Sequence, residues 1–300
     1  MMKNIKLLYV SLLSITSFFS CSKDDNIDTI SDKFLSIPDA SFEEILIVKG
    51  IDSDGVVNMQ MLKSDAEHVE ELDLATLEFG SITDLSGIEG FTSLKKLIAN
   101  QHDLEQIDLS ANILLEEVYL AGNYLSSIDV SKNTNLVELD LTSNQLTTII
   151  GLSELVKLEN LNLSFNYFKE LTVDNASLEI LHISNNDLIS LDISSAVNLT
   201  NVLLTTNKLN ALDISSNKKL QTLLVSDNQL QSINLGKNIS LTHLYIASNL
   251  LTGLDVSNNQ NLMDLKVDRN PSLTCIKITN GQNIPSVTLS NHQVLNDLCN

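Results

Sequence analysis

The residues best suited to bind a metal ion lie in the segment GIDSDGVVN, which begins at Gly50. An EF-hand calcium loop supplies oxygen ligands at fixed positions around one glycine and ends on a bidentate glutamate. In that register Asp52 and Asp54 occupy ligand positions, but Gly50 takes the first ligand position and Met61 takes the place of the glutamate. The segment therefore predicts a tight polar turn, with Asp52 and Asp54 as weak calcium candidates only.

A second set of carboxylates recurs along the chain, at the aspartate of segments such as LDIS. Like charges about 5 Å apart on neighbouring strands repel each other, so a column of them needs either a bridging cation or solvent. A solvated outer face is the more common arrangement, and we favour it. The column contains Asp108, Asp129, Asp192, Asp213 and Asp255 and is interrupted by Thr172, Asn234 and Lys277.

The sequence lacks the motifs that are typical of enzymes. The five histidines are scattered, and the chain has no H-E-x-x-H, P-loop, G-x-S-x-G or C-x-x-C motif. We therefore expect no enzymatic activity and no cofactor. With a net charge of -20 the protein would be repelled by the phosphate backbone of a nucleic acid, so we expect no nucleic-acid partner. A cationic partner, a divalent cation or a neutral glycan remains compatible with this charge.

The N-terminus predicts a secreted, lipid-anchored protein. MMKNIK is followed by an uncharged run that is too short for a transmembrane helix and suits a signal peptide over residues 1–20. Ser20 and Cys21 resemble a bacterial lipoprotein site, in which Cys21 would carry the lipid and be the sole membrane anchor. The following SKDD is similar to the export signal of Bacteroidota surface lipoproteins. We expect an outer-membrane lipoprotein exposed on the cell surface, with the periplasmic face as the alternative.

The elements that must position any site begin after a polar, acidic stretch. Residues 21–37 predict a flexible tether, and residues 38–68 predict a helical N-terminal cap. Asp39 or Ser41 can cap the first helix, with Glu43 in its first turn and Gly50 at its end. A second short helix is expected over 64–71.

From residue 69 the chain is a repeat array. The unit reads L-x-x-L-x-L-x-x-N-x-L-x-x-L-D-L-S-x-N-x-x and returns every 20 to 22 residues. Residues 69–283 predict about 10 to 11 stacked coils, closed by a capping coil over 284–300. The aligned positions are Leu94, Leu115, Leu136, Leu158, Leu178, Leu199, Leu220, Leu241, Leu262 and Ile284.

The spacing within each unit predicts a solenoid. Two leucines that alternate with an outward residue form a short strand with one buried face, and the asparagine that follows ends the strand in a turn. One repeat cannot bury its apolar side alone, so the coils must stack into a parallel sheet. The second triplet, as in LDIS, predicts another extended segment on the opposite side of each coil.

This pattern resembles the leucine-rich repeat, and its 21-residue form is similar to the bacterial IRREKO-type subclass. IPDASFEEILIVKGIDSDGVV and ITDLSGIEGFTSLKKL resemble the N-terminal cap and first repeat of leucine-rich surface proteins from Bacteroidota, and NPSLTCIKI resembles their last repeat. The resemblance covers about residues 38–300. It implies an internalin-like, extracellular recognition module and no reaction.

Two cysteines remain beside Cys21. Cys275 and Cys299 fall in the last two coils, in neighbouring columns, and the last repeat of the similar proteins pairs with a cysteine near the domain end. In an oxidising compartment we expect a disulfide between them, with two buried free thiols as the alternative.

The outward residues of the strands divide the concave face into two zones. An acidic zone contains Glu117, Glu138 and Asp140. An apolar stripe follows in the middle coils, and solvated strand faces do not require such residues, so we predict a ligand-binding surface there. The stripe consists of Ile180, Leu203, Leu224 and Tyr245, flanked by His182 and His243.

Three functions follow in order of preference. The first is a surface-anchored module that binds a protein or glycan on its concave sheet, for adhesion or ligand capture. The second is a structural subunit of an envelope complex, and the third, which we do not favour, is an enzyme with a site grafted on the solenoid.

Overall fold

The computed structural model describes residues 33–75 and 80–299. In these ranges the chain forms a parallel solenoid whose main sheet has 11 strands. The order of its strands follows the sequence from β3 to β19, and all neighbouring pairs are parallel. The sheet strands are β3 (Glu71–Asp73), β4 (Lys96–Ile98), β5 (Glu117–Tyr119), β7 (Glu138–Asp140), β9 (Asn160–Asn162), β11 (Ile180–His182), β13 (Asn201–Leu203), β14 (Thr222–Leu224), β15 (His243–Tyr245), β17 (Asp264–Lys266) and β19 (Ser286–Thr288).

The opposite side of the coils carries short strands in only part of the array. They form three small parallel sheets, and residues 107–109, 212–214 and 233–235, all within the described ranges, have no strand there. The predicted second extended segment is therefore regular in some coils only. These strands are β6 (Ser127–Asp129) with β8 (Thr148–Ile150), β10 (Glu170–Thr172) with β12 (Ser190–Asp192), and β16 (Leu254–Asp255) with β18 (Cys275–Lys277) and β20 (Val294–Asn296). Short 3-10 turns lie at Ile88–Gly90 and Leu152–Glu154.

The core is a continuous aliphatic stack between the two sides. The middle residue of each concave strand from β3 to β17, such as Leu97, Leu181 or Leu244, is at most 1% exposed, and Val287 in the last strand is partly buried. Burial of such side chains stabilises each by about 1.5–3 kcal/mol, which a single coil could not achieve without its neighbours. The predicted stacking of coils is confirmed.

Asparagines hold each turn to the preceding coil. Asn207 is typical: its Nδ2 donates to the carbonyl oxygens of Ile183 and Leu204 at 3.0 Å each, and its Oδ1 accepts from the backbone N–H of Leu188 at 3.1 Å. The residue before the asparagine adopts a positive φ in coil after coil, as at Asn185 (φ 55) and Asp227 (φ 55). One amide thus pairs backbone groups that the turn would leave buried without partners.

The N-terminal cap begins earlier than the sequence predicts. Strand β1 (Phe34–Ser36) pairs antiparallel with β2 (Gln60–Leu62), and Leu35 and Ile37 are buried. The interpretation of 21–37 as tether throughout is therefore wrong at its end, because alternating apolar residues here cover the open end of the core. The part of the tether before residue 33 lies outside the described residues.

Two helices follow in the cap. Helix α1 (Ala40–Val48) starts at Asp39, whose carboxylate accepts from the N–H groups of Ser41 and Phe42, so Asp39 is the cap residue and Ser41 is not. Gly50 follows the helix with φ 70, a conformation that favours glycine. Helix α2 (Lys63–Ala66) has only 4 residues, so the second helix is shorter than the predicted 64–71.

Candidate functional site: the concave face

The parallel register places the outward side chains of the concave strands in two columns. Within each three-residue strand the first and third residues point away from the core, and the middle residue is buried, except that Val287 in β19 is only partly buried. Among the described elements, no helix or strand is layered on this face. The face is therefore open to a partner along its length.

Three members of the predicted apolar stripe lie in one row. Leu203 is paired with Leu224, and Leu224 with Tyr245, in consecutive strands. All three side chains are half-buried. Ile180 differs, because it faces Asn160 and Asn201 in the other column and so does not extend the row. From here on, the apolar row means Leu203, Leu224 and Tyr245.

The histidines of the predicted site lie in different settings. His182 pairs with Leu203 in the sheet, and burial lowers the pKa of its imidazole, with nearby Asp140 acting in the opposite direction. His243 Nδ1 lies 2.9 Å from Thr242 Oγ1. His182 continues the apolar row, whereas His243 lies in the other column, across from Thr222.

Tyr245 ends the apolar row in a polar contact. Its hydroxyl donates to Asp264 Oδ2 at 2.6 Å, and Lys266 Nζ lies 3.8 Å from the centre of its ring. The hydroxyl of Tyr245 is the largest cause of the lowered pKa of the Asp264 carboxyl. The ring is thus fixed between a carboxylate and a cation, an arrangement that strengthens both contacts.

One carboxylate of the acidic zone forms an ion pair with a lysine on the neighbouring strand. Lys96 Nζ contacts Glu117 Oε2 at 2.8 Å and lies 5.4 Å from the centre of the Tyr119 ring. The hydroxyl of Tyr119 donates to Glu117, and burial is the first cause that raises the pKa of this phenol, followed by Glu117 and Glu138. Glu117 is neutralised within the chain, whereas Glu138 and Asp140 belong to no ion pair among the described residues.

A depression lies where the acidic zone meets the middle coils. It has a volume of ≈ 310 Å³, and its outward lining side chains come from three neighbouring strands. The middle strand contributes two asparagines, of which Asn160 is shorter than Glu138 beside it and Asn162 is shorter than His182 beside it. The lining consists of Glu138 and Asp140, then Asn160 and Asn162, then Ile180 and His182. We call this set the concave depression.

An aromatic rim beside the same coils escaped the sequence analysis. Tyr124, Phe165 and Tyr167 are 51%, 56% and 54% exposed. Phe165 has φ 57, in the left-handed region, which is unfavourable for a bulky side chain. The equivalent turn position in other coils is occupied by small or polar residues such as Ser143, Asn185 and Asp227. An aromatic residue at this position was therefore the feature of the sequence that could have identified the rim.

Glu43 is a second residue whose role the sequence analysis missed. It is 0% exposed, and its carboxylate accepts from the backbone N–H groups of Asn58, Met59 and Gln60 at 2.8–3.1 Å. The sequence analysis placed Glu43 in the first turn of the helix but did not predict these hydrogen bonds. Its contacts fix the loop that leads into β2.

The residues of the calcium candidate form a polar turn. Asp52 Oδ1 accepts from the N–H of Asp54, and the Asp54 carboxylate accepts from the N–H of Val56 and the Nδ2 of Asn58. Burial, aided by nearby carboxylates, raises the pKa of Asp52. No group of three or more His, Cys, Asp or Glu within the described ranges could hold a metal ion.

The aspartate column on the opposite side also has a local role. Each carboxylate accepts from the backbone N–H two residues later, as Asp129 does from Ser131 and Asp192 from Ser194, both at 2.9 Å. This hydrogen bond lowers the pKa of both aspartates. The column therefore stabilises the turns of a solvated face.

The predicted disulfide is present. Cys275 in β18 and Cys299 are bonded, with a Cα–Cα distance of 5.8 Å. Their bond joins the last two coils at the open end of the solenoid. Cys21 and the predicted signal peptide over residues 1–20 lie outside the described residues. No helix in the described part of the chain has the length and hydropathy to cross a membrane.

Comparison with solved structures agrees with this geometry. The functional domain of InlJ from Listeria monocytogenes superposes with a TM-score of 0.72 and 26% identity, covering 85% of this chain and 61% of that chain. The fold is a leucine-rich repeat solenoid. This chain thus spans about three fifths of the InlJ domain. No family model and no curated protein matches the sequence.

Two further structures show how widely this solenoid is used. The plant peptide hormone receptor RGFR1, in complex with RGF2, has a TM-score of 0.62 and 25% identity, covering 76% of this chain and 40% of that chain. The internalin InlF of Listeria monocytogenes str. 4b F2365 has a TM-score of 0.52 and 20% identity, covering 87% of this chain and 92% of that chain. The internalin-like solenoid inferred from the repeats is confirmed at the level of the fold.

Proposed function

We propose that this protein is a cell-surface binding module that holds a protein partner on its concave sheet. The observation that carries the proposal is the apolar row, in which Leu203, Leu224 and Tyr245 stand side by side on the open face. Apolar and aromatic side chains clustered at the centre of a polar surface are typical of interface hot spots. A purely solvated strand face gains nothing from them.

The similar structures support a protein partner over a glycan. RGFR1 is a receptor in complex with a peptide hormone, and InlJ and InlF belong to the internalins. None of the three is described as an enzyme, which fits a chain without catalytic motifs. A glycan ligand remains the alternative partner class, and a structural subunit of an envelope complex remains the alternative function.

The anchor completes the proposal. A lipid on Cys21 would tether the solenoid to the outer membrane, and the SKDD segment favours the outer face over the periplasmic one. Shaving intact cells with protease tests this part. Cleavage while cells stay sealed supports surface exposure, and survival moves the structural-subunit alternative to first place.

Binding is tested with two matched variants. Leu224→Glu places a charge in the apolar row, and Ile239→Glu places the same charge in a turn outside the concave strands, where Ile239 is 59% exposed. Both variants should keep the fold by circular dichroism. An extracellular protein that binds the wild type and Ile239→Glu, but not Leu224→Glu, supports the proposal. Equal binding to all three would place the binding surface elsewhere.

A further inference from the structure

The concave depression has the shape of an anchor pocket. Its short floor, Asn160 and Asn162, lies between Glu138 and Asp140 on one strand and Ile180 and His182 on the next. Its volume of ≈ 310 Å³ is at the lower end of the range for small-ligand sites, which suits a single side chain. Glu138 and His182 lie at diagonal corners of the depression, and each extends further than the asparagine beside it.

The depression carries two carboxylates that belong to no ion pair among the described residues, and although Lys96 and Tyr119 interact with Glu138, this charge favours a cation. Asp140 Oδ1 accepts from the N–H and hydroxyl of Thr142, at 2.9 and 2.6 Å, and no described contact reaches its other oxygen. Glu138 lies two residues away on the same face, so the two carboxylates are about 7 Å apart along the strand. They flank a space in which the neighbouring groups are amides and an imidazole with a lowered pKa.

The same face already holds two cations in this manner. Lys96 contacts Glu117 and the ring of Tyr119, and Lys266 lies over the ring of Tyr245. Both lysines belong to the chain itself and neither lines the depression. The concave face therefore already pairs cationic side chains with carboxylates and aromatic rings. No described lysine lines the depression in the same way.

The shape selects arginine over a metal ion. The depression offers two carboxylates about 7 Å apart along one strand, and no described group of three or more His, Cys, Asp or Glu could hold a divalent cation. A planar guanidinium spans such a distance with its five N–H donors and is weakly hydrated, so it loses less on entering a half-buried site than an ammonium does. The wall at Ile180 can contact its aliphatic stem.

We propose that the concave depression anchors an arginine side chain of a polypeptide partner whose neighbouring apolar side chains lie on the apolar row. The proposal rests on the proposed function and specifies the chemistry of the partner. Leu203, Leu224 and Tyr245 lie two, three and four coils beyond the floor. With about 4.8 Å per strand and about 3.3 Å per extended residue, the fifth and seventh residues of a segment that starts with the arginine would reach Leu224 and Tyr245, and the third would stop about 3 Å short of Leu203.

The probe is a fluorescein-labelled peptide of sequence Arg-Ser-Leu-Ser-Leu-Ser-Leu, used also in reversed order because the structure does not fix its direction. A matched peptide carries citrulline, the neutral isostere of arginine. Fluorescence polarisation measures Kd with the intact mature chain. We expect one orientation of the arginine peptide to bind at least about ten-fold more tightly than its citrulline form, the range of a charge-assisted hydrogen bond.

The protein variants complete a double-mutant cycle. Asp140→Asn should weaken the arginine peptide about ten-fold and leave the citrulline peptide unchanged. Glu170→Gln removes the same charge from strand β10 on the opposite side and should change neither. Leu224→Glu should weaken both peptides. Circular dichroism of each variant confirms that the fold is retained.

Four outcomes would overturn the proposal. Equal affinity for the arginine and citrulline peptides, or equal losses in Asp140→Asn and Glu170→Gln, would show that the depression does not recognise the charge. Absence of binding by either orientation at about 1 mM peptide, weaker than any specific contact of this kind, would also reject it. Retained binding in Leu224→Glu would separate the arginine from the apolar row. A protein partner that still depends on Leu224 in the earlier test would leave the proposed function standing.

Discussion

Asp140 and His182 face each other across Asn162, so a carboxylate and an imidazole stand on opposite walls of the concave depression. Burial holds the pKa of His182 below its ordinary value of 6.5, despite the opposing effect of Asp140. At neutral pH the imidazole is therefore uncharged, and the depression keeps the net negative charge of its two carboxylates. Because the His182 imidazole gains a positive charge at low pH, the affinity of the depression for a cation depends on pH.

Acidification should weaken binding of the arginine peptide through His182. As the pH falls through the lowered pKa of His182, its imidazole gains a positive charge that repels the guanidinium. His182→Gln keeps a polar side chain that does not titrate and should remove this dependence between about pH 7 and about pH 5. Polarisation titrations across this range measure it. An identical pH profile for wild type and variant would contradict the prediction.

The cap should depend on one buried carboxylate. Glu43→Ala leaves three backbone N–H groups of the loop at Asn58 without an acceptor, so we expect a loss of about 3 kcal/mol in the free energy of unfolding. Glu44→Ala, at an exposed neighbour in the same helix, should change it by less than about 0.5 kcal/mol. Urea unfolding measures both. Similar losses in the two variants would assign the effect to the helix and not to the loop.

The asparagine column should be as important to stability as the leucines. Asn207→Ala removes hydrogen bonds to three backbone groups, so we expect a loss of about 3 kcal/mol. Asn198→Ala removes exposed contacts to Ala176 and Lys219 and should cost less than about 1 kcal/mol. Thermal unfolding of the pair tests the difference. A cost for Asn207→Ala no larger than that for Asn198→Ala would mean that water replaces the amide in the turn.

The periodic part of this fold could be predicted from the sequence because the period itself reports the geometry. A leucine that returns every 20 to 22 residues must stack, and the register then places Leu203, Leu224 and Tyr245 side by side. The disulfide between Cys275 and Cys299 followed from the same alignment together with the resemblance. Each of these inferences requires only the knowledge of the coil to which a residue belongs.

What could not be predicted depends on contacts outside the period. β1 and the residue after it supply only one alternating pair, Leu35 and Ile37, which is too short to mark a strand in the sequence, and β1 pairs with β2 from 26 residues later. Glu43 looks like an ordinary first-turn acid until the loop at 58–60 folds over it. The depression likewise depends on which side chains three coils place together, and Asn160 appears in the sequence as one more outward polar residue.

The unfavourable backbone conformation of Phe165 in the aromatic rim allows a test of whether this side chain is retained because it binds a partner. Phe165 has φ 57 and is 56% exposed, so its side chain gains little from the core while its backbone is unfavourable. Phe165→Asn places there the residue that Asn185 supplies in the next coil, and we expect the free energy of unfolding to rise by about 1 kcal/mol. Asn185→Phe is the reverse exchange and should lower it by a similar amount. If Phe165 contacts the partner, Phe165→Asn will bind it more weakly in spite of its greater stability. A variant that is both more stable and equally able to bind would remove the rim from the binding surface.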